Sequence, residues 1–77
     1  MTAAYLMNDK SMVVTFETSD LALRFVRFCK ARKGFDVHSH CDRRVMLVDH
    51  ADNVDRMALE LQRDRRVSAV SVDWYLG

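Results

Sequence analysis

Apolar and polar positions along the chain switch between two periods. Met12-Val13-Val14-Thr15-Phe16-Glu17 is β-branched and aromatic and alternates, with Met12, Val14 and Phe16 on one side and Val13, Thr15 and Glu17 on the other, as a half-buried strand requires. After Thr18-Ser19-Asp20 the spacing lengthens, and Leu21, Ala22, Phe25, Val26 and Cys29 recur at three and four residues. That spacing predicts a helix capped by Ser19, with Asp20 at its positive end and Phe28 at the boundary of the buried stripe. Lys30, Arg32 and Lys33 place cations near the negative end, and Gly34 is expected to stop the helix.

Alternation returns over Phe35 to Cys41, and Val45-Met46-Leu47-Val48 is an unbroken apolar run a few residues later. The two predict a hairpin turning at Asp42-Arg43. A second helix is expected to follow, with Asp52 as cap, Asp55 in the capping-box position, Val54, Met57, Ala58 and Leu61 inward, and Arg56 paired with Glu60 outside. Val67 to Leu76 then alternates Val70, Val72 and Trp74 with Ser71, Asp73 and Tyr75, which predicts a fourth strand. The order strand, helix, strand, strand, helix, strand is the split βαβ arrangement, a ferredoxin-like α+β sandwich. Strands one and three are expected at the centre of a four-stranded antiparallel sheet, with both helices on one face and the other face open. Residues 1–10 are expected to form a flexible segment ahead of a single domain over 11–77.

Composition narrows the function classes. At 77 residues, 49% hydrophobic and 30% charged, the chain fits one small globular domain and leaves no room for a cleft between two. Twelve Lys+Arg oppose eleven Asp+Glu, and the signs alternate, so bulk charge names no partner. Cys29 and Cys41 are too few for a disulfide framework, which points to a reducing, cytoplasmic setting. No run approaches the ~18 apolar residues that would suggest a membrane span, and Met1 to Lys10 lacks the features of an export signal. Gly34 and Gly77 are the only glycines, so no glycine-rich loop can cradle a phosphate. With no serine in a nucleophile-elbow context and no acid pair in an apolar setting, neither a cofactor nor enzymatic activity is expected.

Three binding chemistries remain. Base stacking on the open face is disfavoured, because the positions expected there, Val13, Thr15, Val45 and Leu47, include no aromatic; an electrostatic nucleic-acid surface would draw on Arg24, Arg27, Lys30, Arg32, Lys33, Arg43, Arg44, Arg63, Arg65 and Arg66. A transition-metal site could form from His38 and His40, two residues apart on one strand. A two- or four-residue turn would set His40 against Val45, His38 against Leu47 and Asp36 against Asp49; a three-residue turn would bring His50 and Asp36 to the histidine face. The first register is favoured, and with it Met46 and Val48 inward. Cys29 and Cys41 are expected to be core residues. The third chemistry is protein contact through an apolar patch of Val13, Val45, Leu47 and Tyr75, with Arg24, Arg27, Arg43 and Arg44 steering an acidic partner. The expectation is therefore a small non-enzymatic interaction module, a regulator, adaptor or inhibitor that occludes a partner's surface and forms a homodimer. A phage-encoded inhibitor of a host enzyme or defence complex has the same general character, an analogy that no particular residue carries.

Overall fold

The structure, a computed structural model, describes residues 8–32 and 36–76. The chain runs β1 (Asp9–Phe16), α1 (Ser19–Ala31), β2 (Asp36–Cys41), β3 (Arg44–His50), α2 (Ala51–Gln62) and β4 (Val67–Trp74). All strand pairs are antiparallel and the sheet order is β2-β3-β1-β4. The fold is α+β, with β1 and β3 central as the element order predicts. β1 begins at Asp9, so Asp9 and Lys10 belong to the sheet; the remainder of the expected flexible segment, residues 1–7, lies outside the described residues.

The core follows from the alternation of β1. Met12, Val14 and Phe16 are buried, and antiparallel pairing sets Met12 beside Leu47 and Val14 beside Val45. Paired residues share a face, so this face carries Met12, Val14, Phe16, Val45 and Leu47. Ala22, Val26 and Cys29 of α1 and Val54 and Ala58 of α2 close over it in one hydrophobic cluster. Each large apolar side chain buried there contributes roughly 1.5–3 kcal/mol. Both helices therefore occupy a single face.

The helix ends depart from expectation by one or two residues. Thr18, with extended backbone, caps α1 by accepting the Leu21 N–H at 3.2 Å; Ser19 already has helical geometry. The helix ends at Ala31, with the Arg32 N–H bonded to the Cys29 carbonyl, before the expected stop at Gly34, which lies outside the described residues. α2 is capped by His50, whose Nδ1 accepts the Asp52 N–H at 3.3 Å, and not by Asp52. Asp49 supports that junction: one carboxylate oxygen accepts the His50 N–H at 2.7 Å and the other accepts from the Asn53 amide at 3.4 Å.

The hairpin turns at Asp42-Arg43, as predicted, with Cys41 paired to Arg44. Asp42 takes a φ of 55°, the left-handed region that two-residue hairpin turns use and that Asp tolerates better than most residues. Beyond the turn His40 opposes Val45, but the register slips between Val37 and Ser39, leaving His38 as the extra residue of a bulge. Val37 then opposes Leu47 and Asp36 opposes Val48. The expected pairs His38 with Leu47 and Asp36 with Asp49 do not form.

Candidate protein-contact surface

β3 reverses the expected facing of its apolar run. Val45 and Leu47 are 0% and 2% exposed beneath the helices, whereas Met46 and Val48 are partly exposed on the opposite face. The cause is the pairing with β1: once Met12 and Val14 face the helices, their partners Leu47 and Val45 must face them too. Val45 and Leu47 are core residues, not contact residues. Met46 and Val48 take their place.

The open face can be followed row by row. Val13 lies between Met46 and Ser71, Thr15 between Arg44 and Ala69, and Ser11 between Val48 and Asp73. Asp9 pairs with His50 and its carbonyl accepts the Tyr75 N–H at 3.0 Å. Val13, Met46 and Val48 thus form an apolar band across the two central strands, bordered by the hydroxyls of Ser11, Thr15 and Ser71. Tyr75 ends near this face as expected, and its ring meets His38 edge-on at 5.7 Å between centroids. Since β2 and β4 are opposite edges of the sheet, that contact crosses the open face near Val48 and Asp9. No described helix covers the band.

The expected basic set is divided between surfaces. Arg24 and Arg27 are exposed on α1, in the helix layer, while Arg44 belongs to the open face and Arg43 to the turn beside it. The four do not form one steering patch.

The residues proposed for a metal are likewise dispersed. His38 meets Tyr75 edge-on, His40 Nε2 lies 3.1 Å from the Asp42 carbonyl, His50 caps α2 and Asp49 holds the same junction. Asp36 opposes Val48. Among the described residues, no three His, Cys, Asp or Glu side chains are gathered as a metal ion would require. Cys41, expected in the core, is exposed; Cys29 is buried as expected, and burial pushes its thiol up to about 11 despite the opposing pull of Arg32.

A second surface has no counterpart in the sequence reading. Phe16, Leu21, Phe25, Phe28 and Leu61 line a groove of about 270 Å³ on the helix side, rimmed by Arg24, Asp64 and Arg66. Phe16 and Phe25 meet with ring centroids 5.1 Å apart, and Phe28 stays 49% exposed with the Arg32 guanidinium 5.2 Å from its ring. Arg66 grips Asp64 through two side-chain hydrogen bonds of 2.9 and 2.7 Å, which hold that carboxyl down at about 2. Phe28 at the edge of the helical stripe was the available signal; the position of Leu61 beside it depends on how far apart the two helices sit.

No protein-family model matches the chain, and neither a curated protein nor a solved structure matches it at the significance required of a match. The chemistry of these surfaces stands on their own residues. No helix among the described residues is long and apolar enough to cross a membrane.

Proposed function

We propose that the chain is a non-enzymatic protein-contact module that works by covering a partner's surface, as a regulator, adaptor or inhibitor, through the open face of its sheet. The observation that carries this reading is the apolar band of Val13, Met46 and Val48 on the two central strands, left uncovered by either helix. An apolar patch ringed by polar groups on a small domain is the usual composition of an interface centre and rim. The hydroxyl border and the charges at the strand ends would form the rim. The exposed thiol of Cys41 suits a reducing compartment.

The test is affinity capture from a native lysate with wild type, with Met46→Asp, and with Phe28→Ala as a control on the helix side, each with and without nuclease. Wild type and Phe28→Ala are expected to retain the same proteins after nuclease, and Met46→Asp to lose them. Equal capture by Met46→Asp would overturn the reading, as would capture that disappears with nuclease.

A further inference from the structure

We propose that, when no other protein is bound there, the open face is covered by a second copy of this chain, packed sheet to sheet about a two-fold axis that lies between the sheets and runs across the strands. The proposal rests on reading that face as a contact surface, and adds what covers it and in which direction.

The charges on the face are sorted along the strands. At one end lie Asp9, Asp73 in the row of Ser11 and Val48, and Asp36 opposite Val48, all exposed. At the other end Arg44 flanks Thr15, with Asp42 and Arg43 in the adjoining turn, and the Glu17 carboxylate just beyond accepts from the Ser68 hydroxyl, so acid and base are balanced there while the first end is acidic. Val13 and Met46 lie between. Two copies can meet face to face about an axis along the strands or about one across them. The first sets the three carboxylates against the same three carboxylates, and Arg44 against Arg44. The second sets the carboxylates of each copy over the Arg44 end of the other, twice per dimer. Packed sheets stand about 10 Å apart, close to the screening length at physiological salt, so these end charges sense one another across the interface.

Shape selects the same axis. Tyr75 and His38 cross the face at the carboxylate end, whereas Thr15 and Ala69 leave the Arg44 end with small side chains. Exchanging the ends seats each bulky pair over small residues; keeping them aligned stacks bulk on bulk. The footprint is modest: four strands of about eight residues cover roughly 500 Å² a side, below the ~800 Å² of a standard interface. That area places the contact at the small end of specific interfaces, so the dimer is expected to be reversible.

Sedimentation velocity over a concentration series tests the arrangement with the full chain: wild type, Arg44→Asp, the double variant Asp9→Lys/Asp73→Lys, their equimolar mixture, and Met46→Asp, with circular dichroism to verify folding of each. Wild type is expected to dimerise, each charge variant alone to lose at least tenfold in affinity, and the mixture to recover a dimer, because the acidic groups of one variant then meet the introduced lysines or Arg44 of the other. Dimers in which the charge variants match wild type would overturn the axis, and a mixture that stays monomeric would overturn the part these charges play in the contact. If Met46→Asp alone abolishes those dimers, the contact surface stands without that axis. A monomeric wild type would remove the second copy as occupant, while the capture experiment with Met46→Asp decides separately whether the face binds another protein.

Discussion

Asp42 holds a φ of 55° in the hairpin turn, and the left-handed region is costly for residues with a bulky or branched Cβ. Asp42→Val is expected to lower stability by about 1–2 kcal/mol, whereas Asp42→Asn or Asp42→Gly should hold or raise it; urea midpoints across the three variants check this. Cys29 offers a second measurement at single-residue scale. Its thiol is raised from 9.0 to about 11 by burial, so between those values the folded chain binds more protons than the unfolded one. Stability from this group is complete below about pH 9 and lost as pH climbs toward 11. Cys29→Ala should lower stability at neutral pH by loss of packing, yet flatten the alkaline decline. An unchanged alkaline slope in that variant would assign the decline to other groups.

At the scale of elements, β3 shows what a sequence can and cannot reveal. β1 declares its buried face because Met12, Val14 and Phe16 alternate with Val13, Thr15 and Glu17, two of them polar, and the helix stripes declare theirs by spacing; the burial of all three β1 residues and of Ala22, Val26 and Cys29 follows that pattern. Val45-Met46-Leu47-Val48 has no alternation to read. Its facing is decided by the partner strand, through Met12 beside Leu47 and Val14 beside Val45, which puts Met46 and Val48, and not Val45 and Leu47, on the open face. Nor does local sequence reveal the bulge at His38, since nothing in His38-Ser39-His40 distinguishes an added residue from a regular one. The facing of β3 has a direct energetic signature. Leu47→Ala should cost about 2–5 kcal/mol by opening a cavity in the core, and Met46→Ala less than about 1 kcal/mol, because its side chain keeps access to water. Thermal or urea unfolding of the two variants compares them; equal losses would contradict the assigned facing.

For the whole molecule, the topology was legible because element order limits how the strands can pair, while the groove beside Phe28 and the composition of the open face were not, since both depend on how layers meet. The same topology sets how the fold bears load. β1 and β4 are adjacent and antiparallel, with Lys10 beside Trp74 at one end and Phe16 beside Val67 at the other. Tension applied between Asp9 and Trp74 pulls on the same end of both strands, so the rungs part in sequence, starting at Lys10 and Trp74. There the Lys10 ammonium, 2.9 Å from Asp55 and 4.6 Å from the Trp74 ring, is the first clasp to open. Tension between Asp9 and Val67 instead drags the strands past each other and strains all the rungs together. Optical-trap stretching should find a markedly higher rupture force along the second direction than the first, making this sheet a fastener that peels with little force and resists sliding.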